Sequence, residues 1–216
     1  MKKLAILSII ALISISTFSQ DPQRDSGRRN GNDEIRTLMG SNNRSNGGYG
    51  SFGGGYTMID NKDAVTMSGR AAWIIGHSLA FGFAGTGFIN SFSPDVVPDR
   101  VVNLTGGYGG FLIEPILLPK MPIHLSFPVV LGGGGIAYTS SFQPNNSWEY
   151  YDTYVEETQA YLIAEPGVEL ELNLLKFFRL AFGVSYRFTS DINWNYTNPS
   201  VLEGWNAGMT FKFGKF

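Results

Sequence analysis

The stretch FRLAFGVSYRFT at positions 178–189 alternates without a break. Phe178, Leu180, Phe182, Val184, Tyr186 and Phe188 share one parity, and Arg179, Ala181, Gly183, Ser185, Arg187 and Thr189 share the other. Successive side chains of a strand point to opposite faces, so this segment predicts a strand with one apolar wall and one small or charged wall. The apolar wall is almost wholly aromatic or large aliphatic, over a length that can cross a membrane. The other wall carries Gly, Ala and Arg of the kind that fill a narrow interior. That is the alternation of a transmembrane β-barrel, apolar towards lipid and polar towards the lumen.

Similar alternation recurs around 49–60, 64–75, 79–90, 101–118, 123–139, 158–173 and 205–216. With 178–189 this makes eight strands, an even number as single-chain bacterial barrels require. The second, fourth and sixth connections are tight, and the third, fifth and seventh are long and polar. Short periplasmic turns and long outer loops give that pattern when both ends of the barrel lie in the periplasm. The expected fold is an all-β, eight-stranded antiparallel up-and-down transmembrane β-barrel over 48–216.

The start of the chain is organised differently. Residues 1–19 carry Lys2 and Lys3, an apolar middle, and the small residues Thr17 and Ser19 before Gln20, which reads as a secretory signal peptide. Residues 20–47 are polar and rich in Gly, Asn and Ser, so they read as a flexible periplasmic segment. Its apolar knot, Ile35, Leu38 and Met39, is a candidate docking motif, either on the chain's own barrel or on another protein.

Composition narrows the chemistry. The 216 residues hold no cysteine, which excludes disulfides, thiolate metal sites and cysteine catalysis. A net charge of −2 gives no reason to expect a nucleic-acid partner. The sequence calls for no cofactor.

The alternating strands, together with the C-terminal run Thr210-Phe211-Lys212-Phe213-Gly214-Lys215-Phe216, resemble small eight-stranded outer-membrane β-barrel proteins. Gly107-Tyr108-Gly109-Gly110 with Glu114-Pro115, and the run from Glu165-Pro166 to Leu172, resemble the Bacteroidetes-type branch. The resemblance implies a bacterial outer-membrane location and contact with outer-membrane lipid and lipopolysaccharide. It also implies that Phe211, Phe213 and Phe216 form the signal read by the outer-membrane insertion machinery. It implies little about activity, because one such fold hosts many roles.

By parity the lumen should hold Arg70, Glu114, His124, Glu165, Glu169, Glu171, Arg179, Arg187 and Lys212. An eight-stranded barrel is only wide enough to be filled by side chains, so these charges predict an ion-pair network that plugs it. By sign, Arg187 and Arg179 are the expected partners of Glu165. Proline cannot donate to a ladder, so Glu114-Pro115 and Glu165-Pro166 predict bulges or kinks with the Glu turned inward. His124-Leu125-Ser126 resembles the His-x-Ser pair of outer-membrane lipid A deacylases. Its inward parity and its place beside a periplasmic turn argue against catalysis. Trp148, Tyr150, Tyr151 and Tyr154 in the longest loop, with Trp194 and Tyr196 in the last, read as an aromatic patch at the membrane interface. The expectation is a non-enzymatic barrel with a charge-plugged lumen, structural or accessory to a larger outer-membrane protein assembly. The alternatives are a transporter or binder of small hydrophobic molecules and, third, a lipid-modifying enzyme.

Overall fold

A computed structural model describes residues 46–59, 62–90, 95–97, 100–142, 153–192 and 199–216. The expected signal peptide, the apolar knot and the aromatics Trp148, Tyr150, Tyr151, Trp194 and Tyr196 lie outside them, and at Tyr154 only the backbone is described.

Ten strands form one antiparallel sheet: β1 (Asn46–Ile59), β2 (Lys62–Ile75), β3 (Leu79–Ile89), β4 (Asp95–Val97), β5 (Arg100–Leu117), β6 (Ile123–Ser126), β7 (Val129–Phe142), β8 (Thr153–Leu175), β9 (Phe178–Thr189) and β10 (Gly204–Lys215). Four of these combine into two longer staves. The short β4 extends the β3 side of the ladder on β5. β6 and β7 are one stave, broken only at Phe127-Pro128, since both keep the same register on β5 and on β8. The result is eight staves, closed by the pairing of β1 with β10.

The prolines behave differently from expectation. Ladder register runs unbroken past Pro115 and Pro166, and the shifts fall instead between Tyr138 and Thr139 and between Asn173 and Leu175. Pro115 loses its donor while its carbonyl stays bonded, accepting from the Phe127 N–H at 2.9 Å, and Pro166 keeps its place opposite Val129. Pro128, at the break between β6 and β7, likewise accepts from the Gly167 N–H at 2.8 Å. One missing donor costs a hydrogen bond but inserts no residue, so no bulge forms. Glu114 and Glu165 do turn inward and are buried.

The staves are staggered. Ladder partners starting at Tyr49 pass through Ala72, Gly82, Leu112 and Val130 to Glu165. The same registers continue to Arg187 and Gly204 and return to β1 at Ile59 instead of Tyr49. Closure with such a shear tilts the strands, typically by about 35–45° to the barrel axis. Inward parity is preserved around the circuit, so the polar wall of every stave faces the lumen. The opposite parity carries Phe52, Met67, Trp73, Phe83, Phe111, Leu162 and Trp205, all exposed. An apolar outer wall around a polar interior is the transmembrane arrangement.

Inward glycines make room for the large residues of the lumen. A Cβ on Gly134 would lie 2.7 Å from both Tyr108 Cβ and Tyr161 Cζ. Only a residue without a side chain lets those two rings lie against β7.

Candidate functional site: a lumen closed in two layers

The lumen half nearer the tight turns is ionic. Lys212 on β10 projects inward from the last stave, and its ammonium meets three carboxylates. The distances are 2.5 Å to Glu114 Oε1, 2.7 Å to Glu171 Oε1 and 2.8 Å to Glu169 Oε2. Glu114 comes from β5, and Glu169 and Glu171 come from β8, two residues apart and therefore on one face. Around this hub, Arg70 donates to Glu169 Oε1 at 2.6 Å, and Arg179 donates to Glu171 Oε2 at 3.2 Å. His124 Nε2 lies 2.9 Å from Glu171 Oε2. A carboxylate only accepts, so Nε2 carries the hydrogen of that contact, and Nδ1 is buried without a partner. The Tyr49 hydroxyl donates to Glu114 Oε2. Every stave except the one formed by β3 and β4 supplies a side chain to this layer.

Its lower surface is aromatic. The Arg179 guanidinium lies 3.9 Å from the centre of the Phe216 ring, which stacks on Tyr49 at 6.1 Å. Phe216 thus faces the lumen, on the opposite parity from Phe211 and Phe213, which pack with Phe52 and Phe178 on the outer wall.

Three inward carboxylates within reach of one another form the grouping that elsewhere holds a metal ion. Here the Lys212 ammonium occupies the point where their oxygens converge, so the cluster is built around a protein cation.

The half nearer the long connections is apolar. Ile59, Leu104, Ile136 and Ile163 from the staves pack with Ile192, Val201 and Leu202 from the β9–β10 connection. The described parts of that connection, 190–192 and 199–203, fold inward as a plug. It is braced by hydrogen bonds from Ile192 to Pro199 and from Glu203 to Ser200, each 3.0 Å. Sequence reasoning missed this plug. The signal available was Ile192 and the pair Val201-Leu202, aliphatic residues within the β9–β10 connection.

Arg187 lies beneath the plug, 0 % exposed. Its Nε donates to the Leu202 carbonyl at 2.5 Å and its Nη2 to Thr57 Oγ1 at 3.3 Å. The rings of Phe88 and Tyr108 stand 5.8 and 6.0 Å away. The expected Glu165 pairing is therefore corrected: neither Arg187 nor Arg179 is its direct partner. The Tyr108 and Ser185 hydroxyls each donate to Glu165 at 2.7 Å, so a phenol stands between Glu165 and Arg187. Of the nine inward charges foreseen, the structure joins Arg70, Glu114, His124, Glu169, Glu171, Arg179 and Lys212 in one network. Glu165 and Arg187 stand apart, in the other half.

Between the layers lies a polar pocket of about 40 Å³, lined in part by Thr66, Ser68, Arg70, Glu169, Ser185 and Asn206. That is room for two or three waters. His124 and Ser126 are both buried, and neither His124 Nδ1 nor Ser126 Oγ has a hydrogen-bond partner. The two are therefore not hydrogen-bonded as base and nucleophile.

Neither family models nor the sequences of curated proteins match this chain. Among solved structures it is similar to the Neisserial surface protein A, at 13% identity and a TM-score of 0.46, over 79% of this chain and 97% of that one. It is similar to Ail, the attachment invasion locus protein of Yersinia pestis, at 10% identity and a TM-score of 0.42, over 78% and 97%. A third is the N-terminal β-barrel domain of OprF from Pseudomonas aeruginosa, at 13% identity and a TM-score of 0.40, over 78% and 96%.

Proposed function

We propose that this chain is an outer-membrane barrel that neither conducts nor catalyses, and that serves as a structural or accessory component of a larger outer-membrane assembly. Its tight turns and both ends of the barrel face the periplasm. The observation that carries the reading is the double closure of the lumen. An ion crossing it would have to displace the Lys212 hub and then the apolar plug around Leu202, which stand at different heights in the lumen. Transport of hydrophobic molecules through a lateral opening is less compatible with the closing seam. The β1–β10 ladder is continuous from Gly48↔Lys215 to Thr57↔Asn206. Planar-bilayer recording of the purified barrel tests the proposal. Silence is the expected result, and stable channels of defined conductance in the wild type would overturn it.

A further inference from the structure

The tight-turn rim is not uniform around the barrel. At the β2–β3 turn the chain reverses through Gly76 and His77, both at positive φ (59° and 61°), and no large apolar residue is exposed between Trp73 and Phe81. On the opposite arc the apolar wall continues through the turns. Leu118, Met121 and Ile123 are exposed in and beside the β5–β6 turn, and Leu174, Leu175 and Phe177 in and beside the β8–β9 turn. Leu118 adopts a positive φ of 54°, unfavourable for a bulky residue, with its side chain 65% exposed.

These turns form one unit. Asn173 Nδ2 donates to the Met121 carbonyl at 2.7 Å, and the Asn173 N–H donates to Pro122 at 2.8 Å. Gly214, next to the end of β10, donates to the Phe177 carbonyl at 2.9 Å. The same arc carries Lys120, Lys176 and Lys215, all exposed. The carboxylate side chains of this half, Glu114, Glu169 and Glu171, are turned into the lumen, so among the described residues the arc exposes cations only.

We propose that this arc is a binding site for anionic phospholipid. Its leucines, Met121 and Phe177 lie at the acyl boundary, and the three ammoniums reach the phosphates of the leaflet at that rim. Large apolar side chains on a turn are costly in water and favourable at the acyl boundary. Lysines can bury their stems along apolar surface while their heads remain at headgroup level. Three such charges facing an anionic surface give the selectivity, and the apolar residues give depth. The inference rests on the membrane barrel described above and commits to lipid rather than protein as the occupant.

The test uses the full barrel in symmetric nanodiscs, of phosphatidylcholine alone or with cardiolipin or phosphatidylglycerol, followed by detergent extraction and native mass spectrometry. Wild type should retain anionic phospholipid over phosphatidylcholine by about tenfold or more. The triple variant Lys120→Gln, Lys176→Gln, Lys215→Gln should lose that preference while its heat-dependent gel shift, a measure of folding, stays that of wild type. The variant Leu118→Ser, Met121→Ser, Phe177→Ser should retain less lipid of either kind. Equal retention of both lipids by wild type, or undiminished preference in the lysine variant, overturns the proposal. So does unchanged retention in the serine variant. A photo-reactive residue at position 118 that captures protein or lipopolysaccharide in native membranes, instead of phospholipid, overturns it as well. Both leaflets of the nanodisc are alike, so a negative result leaves the proposed orientation and the silent lumen untouched.

Discussion

Lys212 and Arg187 are both buried cations in the same lumen, at 1% and 0% exposure, and they are held by opposite means. Lys212 is a compact charge whose ammonium donates to Glu114 and Glu171 and stands 2.8 Å from Glu169, carboxylates that reach it from β5 and β8. Among the described residues Arg187 touches no carboxylate. Its planar, weakly hydrated guanidinium meets a loop carbonyl, a threonine hydroxyl and the faces of two rings, and its Nη1 is left without a partner. Each solution suits its residue. An ammonium beneath the apolar plug would lack a carboxylate to neutralise it, and one planar fork is poorly shaped for three carboxylates converging from β5 and β8. The ionic layer therefore depends on mutual neutralisation, whereas the apolar layer depends on packing with one polar brace.

The sharpest way to break this comparison is to remove the hub. Lys212→Met leaves Glu114, Glu169 and Glu171 facing one another with only peripheral cations. Removing one partner of a buried ionic group costs about 3–5 kcal/mol. Urea unfolding in detergent micelles should show a loss of that size, and Lys212→Arg should restore only part of it. A full rescue by arginine would mean that the three carboxylates need a charge and not an ammonium.

The corresponding change in the other layer should do less. Arg187→Met removes bonds to a carbonyl and a hydroxyl, worth about 1–3 kcal/mol together, and leaves no uncompensated carboxylate in direct contact. The methionine can refill part of the space against Phe88 and Leu202. If the same unfolding measurement gave equal losses for Lys212→Met and Arg187→Met, the distinction between the layers would collapse.

Glu165→Leu refines the picture further. It deprives the Tyr108 and Ser185 hydroxyls of their acceptor and takes away the carboxylate behind the phenol. The expected cost is about 1–3 kcal/mol, the range for stranding buried donors, and below that of Lys212→Met. A loss as large as the hub's would show that Arg187 feels Glu165 through the Tyr108 ring as strongly as through direct contact.

The Glu165 result also marks how far the chain could be read from its residues alone. Strict alternation made the staves, their order and their inward charges legible, because period two assigns each side chain a face. Parity does not assign height. Glu165 and Arg187 are opposite in register, but whether a carboxylate meets a guanidinium or a phenol depends on the stagger and on rotamers filling a shared space. The Val201-Leu202 plug was hidden because a connection has no period. Pro115 and Pro166 suggested bulges because proline removes a donor, and the ladder showed that losing a donor need not insert a residue. The resemblance grouped Phe216 with Phe211 and Phe213, and its position relative to β10 turns it towards the lumen beneath Arg179.

The smallest effect is expected at Ser126, where the enzymatic reading would demand the largest. Its hydroxyl is fully buried and adjoins the Glu171 carboxylate without a satisfactory hydrogen bond, while Glu171 already accepts from Lys212, Arg179 and His124. A buried hydroxyl lacking a partner carries a desolvation cost, so Ser126→Ala should be neutral or stabilising by about 0–1 kcal/mol. Were Ser126 a nucleophile, the same change would abolish activity, and an acyl ester of lipid A exposed to wild type but not to the variant would be cleaved. Mass spectra of lipid A from membranes holding either protein should instead be identical. A destabilisation of about 1.5 kcal/mol or more would carry a different message: Ser126 would be a fourth donor to Glu171, and the ionic layer would extend one residue further along β6.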